Sequence, residues 1–363
     1  MKYYDQILQD VKTSMAVRAN GGNMIIGYLG IPGIGKTQMI EQAAQELGIT
    51  FFGDMVLSSC SPMDIMGKVP NMEDEVLATL PNDDLPLEYR VENETRLFFI
   101  DEVTNATTDT AKALQQGLLS RKFGKHRLGK NVIIVLAGNR QSDKAGSGIL
   151  STAMYNRVTW RNFDWDSSKS DDALAYLTAK YKADEPEAVE TLALLNGYFA
   201  HKPIIEKDFT DALGKLGKEP FVQWTSPRSL EALIQRVSVM GWKLPSIVDM
   251  AGDLGMGRAT ELAGFASLLG KLDRFEKVVA EPQNARIPDS VEAKYAMASV
   301  LALRGTENEF GAIWEYMGRF EEVTMRIVYL KLALKAHPAI ARTREFSKVW
   351  TQDKTLVDAV LGA

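Results

Sequence analysis

The segment Gly30-Ile31-Pro32-Gly33-Ile34-Gly35-Lys36-Thr37 meets every fixed position of the pattern G-x-x-x-x-G-K-[ST]. No other stretch constrains the fold as much, because this pattern works only between an apolar strand and a helix. Both flanks are present: Met24 to Leu29 is apolar, and Lys36 to Leu47 has helical spacing closed by Gly48. Glycines let successive backbone N–H groups curl around phosphate oxygens, and the helix N-terminus adds a favourable dipole and unpaired donors. The expected nucleotide-binding positions of the loop are Gly30, Pro32, Gly33, Ile34 and Gly35. Lys36 would neutralise β- and γ-phosphate charge, and the Thr37 hydroxyl would ligate Mg2+. The bland alternative is a glycine-rich strand-to-helix turn followed by a chance Lys-Thr. The flanking pattern argues against it.

The remainder of the first 165 residues supplies the sheet that such a loop requires. Ile49 to Leu57, Leu97 to Ile100 and Val132 to Ala137 read as further strands. Thr107 to Leu119 has helical spacing between the last two, and residues 1–20 read as a helix with Tyr4, Ile7, Leu8, Val11 and Met15 on one face. Runs apolar on both faces and alternating with helices indicate a parallel α/β sheet. That pattern stops near Trp165. Beyond it Asp171 to Tyr181, Glu185 to Ala200, Arg228 to Val239, a stretch after Pro288 and Ala312 to Ala336 read as helices, the last interrupted at Gly318 and stopped by Pro338. The expected domains are an α/β nucleotide-binding domain over 1–165, a helical domain over 166–245 and a helical extension over 246–363. Net charge is -2 before the first boundary and -3 after it, so the division is one of structural class.

Composition closes several other routes. The net charge of -5 argues against a protein whose affinity comes from neutralising phosphates over a broad surface. Cys60 is the single cysteine, which excludes internal disulfides and a multi-cysteine metal site, and the three histidines, His126, His201 and His337, are scattered, which argues against a histidine metal cluster. The first residues lack the apolar stretch of a signal peptide, and no run approaches the ~20 apolar residues that span a bilayer. A reduced, cytoplasmic protein with no membrane segment is the expectation.

Leu97-Phe98-Phe99-Ile100-Asp101-Glu102 is an apolar strand ending in two acids. Strand ends open into the crevice of an α/β sheet, where ligands bind. Asp101 suits the outer shell of Mg2+, and Glu102 suits a base or orienting group for an attacking water. Alone, such a pair reads as an N-cap; behind a full phosphate loop it becomes the second half of a hydrolytic NTPase. Val132 to Ala137 runs into Gly138-Asn139-Arg140, where an amide could bond the γ-phosphate or the water, or simply cap a turn. Ala153-Met154-Tyr155-Asn156-Arg157 ends an expected helix with an arginine, and Arg228 follows Ser226-Pro227, a good N-cap with proline in the first helical position. Nothing local separates these arginines from solvated surface.

Order and spacing of these elements resemble the AAA+ ATPases, specifically their MoxR-like, dynein-related branch. Ser61-Pro62-Met63-Asp64-Ile65-Met66-Gly67 resembles that branch's Asp-Leu-x-Gly segment. Asp101-Glu102-Val103-Thr104-Asn105-Ala106 resembles its Asp-Glu-Ile-Asn-Arg-Ala, departing at Thr104 and Asn105. Ala137 to Arg157 and Gly255 to Leu262 are closer to a bacterial and phage subgroup. The likeness is strong over 23–165, fair over 224–264 and loose beyond. It implies ATP and Mg2+ as ligands, Lys36 and Thr37 as Walker A contacts, and Asp101 and Glu102 as the Walker B pair. Asn139 becomes the sensor of the γ-phosphate, and Arg157 the finger reaching a neighbouring subunit's ATP, with Arg140 and Arg161 as rivals. Arg228 becomes a second sensor on a helical lid. It also implies a self-assembled ring, commonly a hexamer, and a protein client, in related systems a von Willebrand factor A-type domain protein.

Two insertions could touch a substrate. Residues 71–95 carry Glu73, Asp74, Glu75, Asp83, Asp84, Glu88, Glu92 and Glu94 against Arg90. Residues 121–130 carry Arg121, Lys122, Lys125, Arg127 and Lys130 around Gly124 in an expected hairpin. Two solvated loops attracting each other explain them as well as an acidic peptide or nucleic acid does, and Phe123 alone is thin support for base stacking. The sequence thus favours a ring-forming ATPase that remodels a protein. A nucleic-acid-associated or replication-associated motor and a nucleotide-dependent assembly switch are the rivals.

Overall fold

A computed structural model of the chain describes residues 3–73, 76–143, 150–165, 167–182, 185–219, 222–353, 356 and 359–360. Two compact units divide between Trp165 and Asp166. In chain order the first runs α1 (Tyr3–Ala19), β1 (Ile25–Gly30), α2 (Lys36–Glu46), β2 (Thr50–Val56), α3 (Pro62–Met66), the hairpin β3 (Lys68–Asn71) and β4 (Val76–Thr79), and α4 (Glu88–Val91). It continues with β5 (Arg96–Asp101), α5 (Thr108–Ser120), the hairpin β6 (Lys122–Phe123) and β7 (His126–Arg127), β8 (Val132–Gly138), α6 (Thr152–Tyr155) and β9 (Thr159–Phe163).

Five strands make one parallel sheet in the order β2-β5-β8-β1-β9. All seven residues of β8 are buried, as a central strand covered on both faces requires. Ile134 lies in register between Ile25 of β1 and Phe98 of β5, and all three belong to the main core with Leu114 and Leu118 of α5. Burying each such side chain stabilises the fold by roughly 1.5–3 kcal/mol. The chain leaves β1 for β2 at one edge and leaves β8 for β9 at the other. The C-terminal ends of β1 and β8 therefore flank the crevice where ligands bind in open α/β sheets.

The edge strand β9 is absent from the sequence reading. Thr159, Trp160 and Arg161 are only half-buried and Asn162 is exposed, so no apolar period marks it. Pairing with β1 over Ile26 to Gly30 holds it, and α1 helps: the Tyr3 ring stacks on Phe163 at 4.1 Å.

The acidic insertion contains structure that its composition concealed, the antiparallel pair β3–β4 and the short α4. Asp74 and Glu75 lie outside the described residues. The basic segment does form a hairpin, turning at Gly124. Arg121, however, is withdrawn from its charged face. It closes α5 with φ +51 and donates to Gly129 O, Val132 O and Asn23 Oδ1, while burial lowers its pKa to about 10. Between the insertions, His126 bonds the Thr79 carbonyl, and Leu87 bridges Leu128. Lys130 and Glu88 approach only to 4.0 Å.

The second unit is helical, with α7 (Ser167–Lys180), α8 (Pro186–His201), α9 (Glu206–Lys215), α10 (Pro227–Val239), α11 (Ile247–Leu254) and α12 (Met256–Leu269), followed by α13 (Phe275–Ala280), α14 (Val291–Arg304), α15 (Phe310–Met317), α16 (Val323–Ala336) and α17 (Arg344–Gln352). Ser226 caps α10 by accepting from Ser229 N, with Pro227 as its first residue. Gly318 separates α15 from α16. Across the expected division at 245, α8 packs along α14 and α12. Among the described residues no helix is long and apolar enough to cross a membrane.

Candidate active site

The loop between β1 and α2 is anchored by two side chains and opened by its glycines. Ile31 and Ile34 are each 4% exposed and fix it to the core. Gly35 is the N-cap of α2 with φ +87, where an L side chain would be strained, and it offers no capping group. The first-turn N–H groups of α2 have no intrahelical carbonyl to bond, which leaves an N-terminus suited to an anion.

Lys36 is buried, and its ammonium donates to Gly30 O at 2.8 Å, Ile31 O at 3.1 Å and Asn139 Oδ1 at 3.3 Å. The lysine is thereby held against its own loop and tied to the end of β8. Thr37 Oγ1 donates to Asp101 Oδ2 at 2.9 Å, and Asp101 Oδ1 accepts from Glu102 N at 2.7 Å. This bond sets the two oxygens side by side, the Thr37 hydroxyl suited to ligate Mg2+ and the Asp101 carboxylate to its outer shell. Among the described residues no group of three or more His, Cys, Asp or Glu could hold a metal. The two oxygen donors, Thr37 and Asp101, fit Mg2+, which takes few protein oxygens and completes its shell with water and phosphate.

Glu102 stands one residue past the strand with φ +54, a conformation rarely adopted by non-glycine residues. The Asp101 carboxylate holds its N–H, and Ser58 Oγ donates to its Oε2. Sequence reasoning missed Ser58. Its signal was a polar residue just past β2, the strand paired with β5. Asn139 is fixed from behind, its N–H donating to Thr104 Oγ1 at 3.0 Å.

The fold therefore gathers Lys36, Thr37, Asp101, Glu102 and Asn139 from three adjacent strand ends. Arg157 stands apart, exposed one residue beyond the C-cap of α6, and its guanidinium makes no ion pair among the described residues. Arg140 pairs with Asp143 and with Asp164, each at 2.9 Å. Arg161 grips Asp10 through two bonds of 3.1 and 2.9 Å, which raise the guanidinium pKa further. Arg228 lies exposed in the first turn of α10, in the other unit. Burial pushes the Cys60 thiol pKa up.

This is a P-loop site on the parallel sheet of the AAA+ fold. Residues 26–159 match the family model described as ATPase family associated with various cellular activities (AAA), so the first unit contains an AAA domain, a domain that implies nucleotide binding and ATPase activity in general. No curated protein matches the chain. Among solved structures, two point mutants of RuvB from Thermotoga maritima align with it. One has a TM-score of 0.39 at 12% identity, covering 78% of each chain. The other has 0.38 at 12%, covering 77% of this chain and 76% of that one. Both likenesses are too distant to bear on activity.

Proposed function

We propose that the chain is an ATP-hydrolysing, ring-forming AAA+ protein of the MoxR-like type that remodels a protein partner. The observation that carries the hydrolytic part is the convergence of Lys36 with Asn139, Thr37 with Asp101, and Glu102 with Ser58 at one crevice. In this reading the α2 N-terminus and Lys36 hold the β- and γ-phosphates, with Lys36 exchanging its loop carbonyls for phosphate oxygens. Thr37 and Asp101 hold Mg2+, which when bound neutralises charge developing on the phosphates. Glu102 orients the attacking water and accepts its proton. Asn139 spends Oδ1 on Lys36 and keeps its amide N–H groups for the γ-phosphate.

Arg157 serves a neighbouring subunit. That role is favoured because both rivals, Arg140 and Arg161, are committed to carboxylates of their own domain. An arginine supplied in trans is worth about 10^3–10^5 in rate, so a lone subunit is a poor ATPase and a ring, commonly a hexamer, follows. Residues 166–245 act as the lid carrying Arg228, and 246–363 as a helical extension. The client, for which a von Willebrand factor A-type domain protein is the candidate, and the cytoplasmic setting rest on the resemblance alone. The test is steady-state ATP hydrolysis at rising protein concentration. Specific activity should climb as rings assemble and vanish in Glu102→Gln while ATP still binds. Full activity from a monomer at every concentration would sink the proposal.

One observation favours the nucleic-acid-associated motor. Lys122, Lys125, Arg127 and Lys130 are exposed on and beside the β6–β7 hairpin. Phe123 lends it no stacking surface, being 3% exposed. DNA-stimulated ATPase activity that disappears when Lys122, Lys125 and Arg127 become Ala would establish this reading. Hydrolysis indifferent to DNA removes it, and steady-state hydrolysis that disappears in Glu102→Gln while ATP still binds disposes of the nucleotide-dependent switch.

A further inference from the structure

We infer that Thr104 is a positioning residue that sets Asn139 against the γ-phosphate and locks it to the turn carrying Glu102; this rests on the reading of Asn139 as the phosphate sensor. Thr104 is 5% exposed, and its Oγ1 accepts the Asn139 N–H at 3.0 Å. The turn it belongs to is closed by Asn105 N on Glu102 O at 2.9 Å. A second bond, Val103 N to Ala137 O at 3.0 Å, pins that turn to the last residues of β8. The two bonds run in opposite directions between the same pair of segments. Glu102 and Asn139 therefore move as one piece.

The packing around the hydroxyl leaves it little freedom. A Cβ on Gly138 would stand 2.8 Å from Thr104 Oγ1 and 2.9 Å from Thr104 Cγ2, so the glycine is the only residue that admits the threonine this close. The β-branched side chain has few rotamers to retreat into. From Thr104 the chain of contacts passes through the Asn139 backbone to its side chain, whose Oδ1 accepts from Lys36 Nζ. Phosphate held by Lys36 is thus linked to the water-orienting Glu102 through one buried hydroxyl. Deleting that hydroxyl leaves the Asn139 N–H without its acceptor and lets the amide drift by the few tenths of an ångström that catalysis resolves.

The experiment measures kcat, KM, binding of a non-hydrolysable ATP analogue and thermal stability on the full chain carrying Thr104→Val, Thr104→Ser, Asn139→Ala or Thr104→Val with Asn139→Ala. Thr104→Val should lower kcat about ten-fold with analogue affinity within about two-fold of wild type. Thr104→Ser, which keeps the acceptor, should recover most of the rate. Adding Thr104→Val to Asn139→Ala should cost little more than Asn139→Ala alone. If Thr104→Val loses its native circular dichroism, Thr104→Ala takes its place. Wild-type kcat in the valine variant, a serine variant as slow as valine, or fully multiplicative losses would each overturn the inference. An Asn139→Ala variant with normal kcat overturns the sensor reading itself, which separates the two failures.

Discussion

Removing the Arg161 guanidinium should cost the first unit stability and spare its chemistry, and removing Arg157 should do the reverse. Arg161 bonds both oxygens of Asp10, whose side chain is 5% exposed against 41% for the arginine. Breaking a fully buried pair by deleting one partner costs ~3–5 kcal/mol, and an exposed pair is worth ~0–1 kcal/mol. With the carboxylate buried and the guanidinium half out, about 2–3 kcal/mol is expected for Arg161→Ala. Tyr28 OH at 3.3 Å and Gln6 Nε2 at 3.0 Å remain as donors to Asp10 and keep the loss from being larger. For a unit of this size each kcal/mol lowers Tm by about 2–4 °C, so the shift is roughly 5–10 °C. The assay is calorimetry of the full chain, reading the transition that ATP raises. Asp10→Asn combined with Arg161→Ala should recover part of the loss, because no buried charge is left unpaired. In parallel, Arg157→Ala subunits should be inactive alone at unchanged Tm. They should regain turnover when mixed with Glu102→Gln subunits, which supply the arginine and lack the carboxylate. An Arg161→Ala protein with wild-type Tm and no ATPase activity, beside an active Arg157→Ala protein, refutes this reasoning and makes Arg161 the finger.

Lys36→Ala should abolish ATP binding, since it removes the one buried ammonium of the loop; undiminished affinity in a titration breaks the phosphate-site assignment. Glu102→Gln should retain nucleotide and lose hydrolysis by about 10^2-fold or more, and wild-type turnover would show that another group handles the water. Burial raises the Asp171 pKa despite Lys335 and Lys331 nearby. Its ionisation is thus harder in the folded state, so stability from this residue is greatest below the ordinary carboxylate pKa of about 4 and falls as pH rises through the folded value. Asp171→Asn should therefore raise Tm at pH 7.5 and give no gain at pH 3.5, and equal shifts at both would disprove the cause.

What the sequence revealed depended on how locally the chemistry is written. Gly30 to Thr37 carries its glycines, its lysine and its flanking periods in one run, and Asp101 and Glu102 close a strand apolar enough to be read alone. Ser58 is different. Its partner Glu102 is 44 residues away, just past the end of the neighbouring strand, so only sheet order brings them together. Arg140, Arg157 and Arg161 look alike in their own windows. Asp143 lies three residues from Arg140, but Asp10 and Asp164, the other carboxylates that separate them, acquire meaning only when β9 is laid beside β1 and under α1. The missed strand and the unresolved choice of finger were thus one gap, because β9 is recognisable by its partners and not by its period.

The departure at Thr104 teaches the converse. Against the pattern this segment resembles, threonine stands where an asparagine was expected, and read along the chain it weakens the match. In the fold its hydroxyl is the acceptor that fixes Asn139, and its short reach fits the gap left by Gly138. An asparagine there would carry its acceptor one bond further from the backbone, and the end of β8 would have to withdraw to receive it. Thr104 and Gly138 are therefore a matched pair across two strand ends. A mismatch to a linear motif, once its three-dimensional partner is known, marks where this chain ties Asn139 to the turn carrying Glu102, the two residues to which the proposed mechanism gives phosphate sensing and water orientation.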